Sequence, residues 1–364
     1  MQRFYFDHNA TTPVSPEVLQ AMLPALTDVY GNASSLHHFG QAARKRLDEA
    51  RREVAAFLHA KPEEIVFTSG GTEADQTAVL GQPHVVTTTV EHPAVLNAVR
   101  QNNHASFVEV DSRGLVDPDD IRRALRPGVS LISVMHANNE LGTIQPIEAI
   151  SRIAREAGIP FHSDGVQAAG KIPVNVDDLG VSLYSIAAHK IYGPKGVGAL
   201  FNRNRMRRQG TENVAGALGL AAAVNWEMQH GGTEAVRVGI LRDRLEQSVL
   251  DRIPGVRVNG AGAPRISNTS NLRFDGIDTE PLLIALDLRG FAVSSGSACS
   301  SGASEPSHVL TAIGLTREQA RSSLRISLGR SNDAAQVDAL VEALVECVAH
   351  LRRLAPSKPT PVYA

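Results

Sequence analysis

The sequence predicts an α/β fold, with a mainly parallel central sheet in a large domain and a smaller α+β domain beside it. Short β-rich runs alternate with helical stretches between residues 65 and 201, which is the pattern of βαβ units. Beyond about residue 235 this alternation stops, and long helices surround only two β-rich runs. With 364 residues, 43% of them hydrophobic and 20% charged, the chain is long enough for two compact domains.

The predicted large domain spans residues 16–235, and its β-rich runs supply the central sheet. These runs occupy residues 65–68, 85–90, 106–110, 131–136, 160–163, 183–187 and 198–201. Open sheets of parallel strands bind their ligands at the carboxyl ends of the strands. The residues that directly follow each run are therefore the first candidates for a functional site.

The predicted small domain combines residues 1–15 with residues 236–364. Its elements are a long polar helix at 234–250, a β-rich run at 268–274, two helices separated by a loop, a short strand at 324–328 and a last helix. Apolar residues of the last helix recur at helical spacing between 337 and 348, which predicts a packing face. Cys347 lies beside this face and is interpreted as a half-buried structural thiol.

The charge balance argues against nucleic acid and membranes as partners. Lys and Arg total 36 against 38 Asp and Glu, so the net charge of −2 creates no field that would attract either. No apolar run has the length of a signal peptide or a membrane span, and we expect a cytoplasmic protein with a small-molecule ligand. Two distant cysteines form no disulfide framework, and no Cys/His cluster has zinc spacing, so no metal site is expected.

A candidate anion site follows the first run of the sheet. Gly70 and Gly71 allow backbone amides to approach a ligand, and Thr72 adds a hydroxyl at the start of a helix. A phosphate group suits this arrangement. An ordinary helix cap has the same residue types, so the pattern alone leaves both interpretations open.

Two further strand ends carry residues that could serve one cofactor. Asp164 follows the run at 160–163, and Gln167 comes three residues later. Lys190 follows the run at 183–187, where a desolvated amine near another cation has the lowered pKa that a Schiff-base lysine requires. A carboxylate that caps a helix and a solvated surface lysine are the alternatives. Together with a phosphate site, however, these residues suit pyridoxal phosphate (PLP), whose protonated pyridine ring needs a carboxylate partner.

The second cysteine lies in a different setting. Residues 294–302 are small and polar, with Gly296 and Gly302 on either side of Cys299. This composition predicts a mobile, exposed loop. Because structural cysteines have apolar neighbours, Cys299 is interpreted as a reactive thiol.

These motifs, in this order, resemble the cysteine desulfurases, a class-V aminotransferase group of the fold-type-I PLP enzymes. The similarity runs from Phe6 to Val348. Its most specific marks are Asp7-His8-Asn9-Ala10-Thr11-Thr12, Gly31-Asn32 with Ser34-Ser35-Leu36-His37, Ser69-Gly70-Gly71-Thr72-Glu73, Glu91-His92, His136-Ala137-Asn138-Asn139-Glu140-Leu141-Gly142, His189-Lys190, Ser295-Gly296-Ser297-Ala298-Cys299 and Arg325-Ile326-Ser327-Leu328-Gly329-Arg330.

The resemblance implies a set of roles toward PLP. Lys190 would form the Schiff base, Asp164 would pair with the pyridine nitrogen, and His92 would stack on the ring as a further catalytic residue. Asn139 and Gln167 would contact the 3-oxygen of the ring. The phosphate would be held by Gly71, Thr72 and His189, with Thr211 reaching the phosphate of the partner subunit in a homodimer.

The resemblance also implies the substrate and the reaction. Arg325 would bind the carboxylate of L-cysteine in a bidentate fashion, with Asn32 and Asn139 as helpers. Cys299 would take the sulfur as a persulfide, leaving L-alanine, and pass it to an acceptor protein such as an iron–sulfur scaffold. The alternatives are a selenocysteine lyase, a PLP β-lyase and a catalytically silent scaffold of the same fold.

The chain departs from the family pattern at three places. The segments 81–84 and 201–209 are shorter than the corresponding segments usually are, and Ala187 replaces a serine that binds phosphate in some relatives. The loss of that single donor is expected to cost about 1 kcal/mol.

Overall fold

A computed structural model describes residues 2–102, 104–206, 208–296 and 306–354. The strands are β1 (Phe4–Tyr5), β2 (Ile65–Thr68), β3 (His84–Thr88), β4 (His104–Val108), β5 (Leu131–Ser133), β6 (Phe161–Asp164), β7 (Leu183–Ala187), β8 (Gly198–Asn202), β9 (Val256–Val258), β10 (Thr269–Phe274), β11 (Phe291–Ala292) and β12 (Ser323–Ser327). The α-helices are α1 (Pro16–Thr27), α2 (His38–Leu58), α3 (Gly71–Val79), α4 (Pro93–Val99), α5 (Pro118–Ala124), α6 (Ile147–Ala157), α7 (Val176–Leu179), α8 (Val214–Arg252), α9 (Thr279–Asp287), α10 (His308–Ala312), α11 (Arg317–Arg321) and α12 (Ala334–Leu354).

The central sheet has seven strands in the order β2-β8-β7-β6-β5-β3-β4. Neighbours from β7 to β4 pair in parallel, whereas β8 is antiparallel to both β2 and β7. A parallel connection needs a crossover of about a dozen residues or more. The ten residues 188–197 between β7 and β8 form a turn instead, and β8 therefore runs back. The prediction of an α/β fold with a mainly parallel sheet is confirmed.

Three predicted β-rich runs of the large domain, 85–90, 106–110 and 131–136, continue beyond the ends of β3, β4 and β5. The run at 131–136 was expected to be one strand, but β5 ends at Ser133. Val134 and Met135 are nevertheless fully buried, and the backbone N–H of His136 donates to the carbonyl of Asp164 at 2.8 Å. Their apolar character therefore reflects packing at the carboxyl edge of the sheet and not strand pairing.

A second, three-stranded sheet has the order β12-β10-β9, and β1 pairs in parallel with β11. The long helix expected at 234–250 begins 20 residues earlier, as α8. The reason is a stretch rich in Ala, Gly and Leu at 215–224, which packs into the core around the central sheet. The other end of α8 packs with β10, β12 and α12 in a separate core that contains the fully buried Cys347. The predicted domain boundary at residue 235 lies within α8 and stays a prediction.

The N-terminal segment 7–12 crosses from the small sheet to the central sheet. Asp7 forms a β-bridge with Ser327, and the backbone N–H of Asn9 donates to the hydroxyl of Ser327 at 2.9 Å. At its other end, the N–H of Thr12 donates to the carbonyl of His189 at 2.8 Å. The segment therefore contacts the strand end that carries the candidate Schiff-base lysine. Among the described helices, none combines the length and the apolarity needed to traverse a bilayer.

Candidate active site

A cavity of about 540 Å³ opens at the carboxyl ends of the parallel strands. This position is where a doubly wound sheet binds its ligands. Nine of the predicted site residues line this cavity: Gly71, Thr72, His92, Asn139, Asp164, Gln167, His189, Lys190 and Arg325. Residues from the two cores therefore meet in one place.

Three predicted site residues do not lie in the described part of the cavity wall. Asn32 is exposed, and its side-chain oxygen accepts from the N–H of Ser34 at 2.9 Å within a local turn. Thr211 is exposed just before α8 and is not among the described residues that line this cavity. Cys299 belongs to residues 297–305, which lie outside the described residues. The roles expected of these three residues stay predictions.

The start of α3 forms one end of the cavity. Gly70 has a φ of +152°, which residues with side chains rarely adopt, and a Cβ on Gly71 would lie 2.7 Å from a methyl carbon of Val166. Glycine is thus required for this approach of the backbone. The first backbone N–H groups of α3 and the hydroxyl of Thr72 are positioned for an anion, which the helix dipole also favours. This end of the cavity fits a phosphate group.

Lys190 ends the short 3-10 turn Ala188–Lys190 that directly follows β7. Its Nζ donates to the carbonyl of Asn9 at 2.5 Å and to that of Ala10 at 2.8 Å. The half-buried amine is therefore held against the cavity wall by the crossing N-terminal segment. The neighbouring His189 ring contacts the hydroxyl of Thr11 at 3.1 Å, and burial lowers the pKa of His189 to about 4, so the ring is neutral.

Asp164 ends β6 and is only 5% exposed. Its carboxylate accepts from the N–H of Val166 at 2.9 Å. Burial raises the pKa of Asp164 to about 6, although this N–H and the charge on Lys190 act in the opposite direction. A buried carboxyl without a cationic contact is costly in its charged form.

Two more buried carboxyls lie around Asp164, and we call Asp75, Glu91 and Asp164 the acidic floor. Asp75 lines the cavity; its Oδ1 has no hydrogen-bond partner among the described residues and lies 3.6 Å from Nε2 of the buried His162. Glu91 accepts from Thr88 at 2.6 Å, but its second oxygen also has no partner in the described part of the chain. Burial raises the pKa of Glu91 to about 8; burial and the nearby Asp164 also raise the pKa of Asp75. This floor is suited to a ligand that brings a positive charge.

His92 and Gln167 have side chains held in defined orientations. His92 caps α4, where its Nδ1 accepts from the N–H of Ala94 at 3.1 Å. Burial and, secondarily, the charge on Lys190 lower the pKa of His92 to about 4, so its ring is neutral. Gln167 is 4% exposed, and its Nε2 donates to the carbonyl of Asn9 at 3.0 Å. Both residues therefore present a fixed, uncharged group to the cavity.

Arg325 lies on β12 and is only 2% exposed. One terminal nitrogen donates to Asp7 at 2.7 Å, and the other donates to the carbonyl of Asn139 at 3.0 Å. The Nε–H has no partner among the described residues. The guanidinium therefore lines the cavity as a buried, oriented cation, which suits a site that binds a carboxylate.

The sequence motifs did not assign a role to three residues that the structure places at the site. Asn9 accepts hydrogen bonds from both Lys190 and Gln167. Asp75 belongs to the acidic floor, and Lys171 contacts Gln167 from outside the cavity. The inclusion of Asn9 in the 7–12 motif was the available signal for that residue. The residues around Asp75 and Lys171 do not predict a role at the site, because a polar residue on a helix or in a turn is ordinarily exposed to solvent.

The arrangement of these groups fits PLP. The start of α3 would hold the phosphate, Asp164 the protonated pyridine nitrogen, and Lys190 the aldehyde carbon. The buried carboxyl of Asp164 supports this fit, because it lines the cavity with only the N–H of Val166 as a described hydrogen-bond donor, and a pyridinium would supply a positive charge beside it.

The chain also matches known proteins over nearly its whole length. The sequence pattern of the aminotransferase class-V family matches residues 4–209 and 202–340. A cysteine desulfurase from Nostoc sp. is 44% identical, and the alignment covers 98% of this chain and 96% of that protein. The solved structure of a NifS-like protein is 32% identical with a TM-score of 0.88, covering 96% of this chain and 100% of that chain. The solved structure of SspA in complex with cysteine is 33% identical with a TM-score of 0.79, covering 89% of this chain and 98% of that chain.

The alignment with the Nostoc protein has 383 positions, more than the 364 residues of this chain, so that protein contains residues without a counterpart here. The class-V match and the 44% identity together show that the chain belongs to the cysteine desulfurase family of class-V aminotransferases.

Proposed function

We propose that the protein is a PLP-dependent cysteine desulfurase, which removes sulfur from L-cysteine and releases L-alanine. The observation that carries this proposal is the meeting of Lys190, Asp164 and Arg325 at one cavity. The lysine and the carboxyl suit PLP, and the arginine suits the carboxylate of an amino acid. That a relative, SspA, was solved in complex with cysteine supports the choice of substrate.

The side chains that line the cavity would each have a separate role toward the cofactor or the substrate. Bound PLP supplies an electron sink for negative charge at the α-carbon of the substrate. Lys190 would leave the carbonyls of Asn9 and Ala10 to hold the cofactor, and its released amine would later remove the α-proton. Arg325 would orient the substrate carboxylate. The neutral ring of His92 would stack on the cofactor and could accept a proton from the incoming substrate.

The sulfur transfer requires a second nucleophile, which we assign to Cys299. Its thiolate would attack the substrate sulfur, so that an S–S bond forms and the Cβ–S bond breaks. The electron pair of the broken bond stays on the carbon side, where protonation yields alanine. The persulfide on Cys299 would then be passed to an acceptor protein, such as an iron–sulfur scaffold, in the cytoplasm.

We further propose that the protein acts as a homodimer. Three leucines of α1, Leu19, Leu23 and Leu26, are exposed by 40 to 60% of their surface, and Tyr30 nearby is 67% exposed. Apolar residues at this spacing form a continuous stripe on a helix, which favours contact with another protein surface. Thr211, which is exposed outside its own cavity, would reach the phosphate in the partner subunit. Sedimentation of the wild type against Leu23→Asp should show a dimer that the charge converts to monomer.

The desulfurase proposal is tested by comparing two cysteine variants. Wild-type protein incubated with PLP and L-cysteine should produce alanine and gain one sulfur atom on Cys299, as measured by mass spectrometry. Cys299→Ala should abolish both, and Cys347→Ala, which alters a buried thiol in the other core, should retain both.

Other outcomes would identify a different activity. Turnover that survives Cys299→Ala would contradict the desulfurase and indicate elimination or selenocysteine chemistry. The absorbance of wild-type protein with PLP is compared with that of Lys190→Ala. If the wild type shows no PLP absorbance band that the variant lacks, the protein is not a PLP enzyme.

A further inference from the structure

Lys171 is not among the described residues that line the 540 Å³ cavity, but it contacts Gln167, which lines it. Its Nζ donates to the side-chain oxygen of Gln167 at 2.6 Å. Gln167 in turn donates from Nε2 to the carbonyl of Asn9 at 3.0 Å, and that carbonyl also accepts from Lys190 at 2.5 Å. A chain of hydrogen bonds therefore joins Lys171 to the Schiff-base lysine. No motif of the sequence assigns a role to Lys171.

The direction of these hydrogen bonds follows from the groups at the two ends. An ammonium group has three donors and no lone pair, and a backbone carbonyl only accepts. The oxygen of the Gln167 amide must therefore face Lys171, and its NH₂ group must face Asn9 and the cavity. One N–H of this group is used by Asn9. The other N–H can serve an acceptor inside the cavity.

Charged groups from several elements surround Lys171. Lys190 and Arg325 repel its positive charge, and Glu227 of α8 attracts it. The charge on Lys171 also acts on His8. Burial and, next, the repulsion from Lys190 lower the pKa of Lys171 to about 7. The charged form, which only donates, is thus expected to prevail below pH 7 and to decline above it.

We propose that Lys171 is a positioning residue, which fixes the amide of Gln167 so that only N–H donors face the cofactor cavity. This inference rests on the proposed function, since the acceptor would be the 3-oxygen of PLP. If the amide is free to turn over, its oxygen can face the cofactor oxygen and repel it. Loss of the charge on Lys171 should therefore weaken cofactor binding by way of Gln167.

The test is the dissociation constant of PLP, measured by absorbance on protein stripped of cofactor, at pH 6, 7 and 9. Lys171→Met should weaken PLP binding about tenfold at pH 6, the usual effect of losing a hydrogen bond to a charged group. At pH 9 the dissociation constant of the variant should exceed that of the wild type by only about twofold, because wild-type Lys171 has then lost its own charge. A residue with a merely structural role would give a ratio of the two dissociation constants that does not depend on pH.

Three further variants complete the design. Lys171→Arg keeps a charge at every pH and should bind PLP like the wild type at pH 6 and at least as tightly at pH 9. Lys45→Met removes an exposed charge of α2 and should leave binding unchanged. In a Gln167→Leu background, Lys171→Met should have little additional effect, because the amide through which it acts is absent.

The inference is overturned if Lys171→Met binds PLP as the wild type does at pH 6. It is equally overturned if the ratio is constant from pH 6 to pH 9, or if the Gln167 and Lys171 effects are additive. Thermal unfolding of each cofactor-free variant identifies any that fails to fold, and Lys171→Arg then decides the outcome through its pH dependence. Failure of the proposed function gives a different result, since the wild type itself would form no PLP absorbance that depends on Lys190.

Discussion

The acidic floor and the cationic side chains around the cavity differ in how many of their polar atoms have hydrogen-bond partners. Asp75 and Glu91 each keep one buried oxygen without a partner among the described residues. Lys190 contacts two carbonyls, and Lys171 contacts one amide oxygen. Arg325 contacts both Asp7 and a carbonyl.

This difference indicates what the ligand must bring. Within the floor, Asp164 lines the cavity and has no described cationic contact, so a cationic ring nitrogen would be stabilised beside it. The cations already have acceptors, which a ligand can replace without leaving a charge unpaired. Binding of PLP would thus add a partner at the floor and exchange partners at the cations.

Removing the central carboxylate of the floor should have the largest effect. Asp164→Asn keeps the shape of the side chain but cannot balance a pyridinium. We expect the rate of alanine formation to fall on the order of 10²- to 10³-fold, the effect of deleting one electrostatic partner of a reacting group. Asp75→Asn, which alters the same floor, should reduce the rate less than about tenfold. Steady-state kinetics in which Asp75→Asn proves the more harmful variant would contradict this account of the floor.

Among the cations, the next largest effect is expected at Arg325. Arg325→Lys keeps the charge but loses the planar, forked donors, so the KM for L-cysteine should rise about 10- to 100-fold. Arg330 is the control because it is a half-buried arginine outside the wall of the 540 Å³ cavity that pairs with Glu227 at 2.6 Å and stacks on Tyr192 at 3.9 Å. Arg330→Lys should lower the melting temperature and leave KM within about twofold. Equal KM values for the two variants would argue against a substrate role of Arg325.

The smallest effect concerns the stability of the cofactor-free protein. Folding holds a proton on Glu91 up to about pH 8, whereas the unfolded chain releases it near the ordinary value of 4.5. The stabilising contribution of this proton is fully present below pH 4.5 and is lost as the pH rises toward 8. Because the chain around an ionised Glu91 can relax and lower the cost of the charge, we expect a loss of about 1–2 kcal/mol.

Denaturant unfolding across this pH range measures that loss. Glu91→Gln should flatten the decline, and Glu156→Gln, at an exposed site, should follow the wild type. A Glu91→Gln profile as steep as that of the wild type would mean that other groups cause the decline. Saturation with PLP should also make the free energy of unfolding decline less steeply with pH, because the positive charge of the pyridinium would stabilise ionised carboxylates in the floor.

Much of the fold could be predicted because its signals are local. The β-rich runs at 65–68 and 183–187 agree with β2 and β7, and the run at 268–274 differs from β10 by one residue. The runs at 65–68 and 183–187 are short and mostly apolar, whereas the run at 268–274 is mostly polar. The start of α8 was missed, since its Ala- and Gly-rich first half has no polar face to give a helical period.

The site was predicted where its residues follow strands. Asp164 ends β6, and Lys190 and Gly71 follow the ends of β7 and β2 by three residues each; a sheet of this kind brings such positions together. Asn32 and Thr211 lie on exposed segments away from the cavity of this chain, so contacts within it do not account for the roles expected of them. Nothing in the structure tests Cys299.

The sequence by itself determined the alternation of strands and helices, the chemical groups at the strand ends and the family resemblance. Each of these features depends on residues that are close together in the sequence. Only the tertiary structure decided which distant groups touch. Arg325 and Asp7 are 318 positions apart, and the residues next to each of them do not predict their contact. The same holds for Asp75 and Glu91, whose raised pKa values arise from burial. Burial and the proximity of charges depend on how the whole chain packs, and no single segment contains that information.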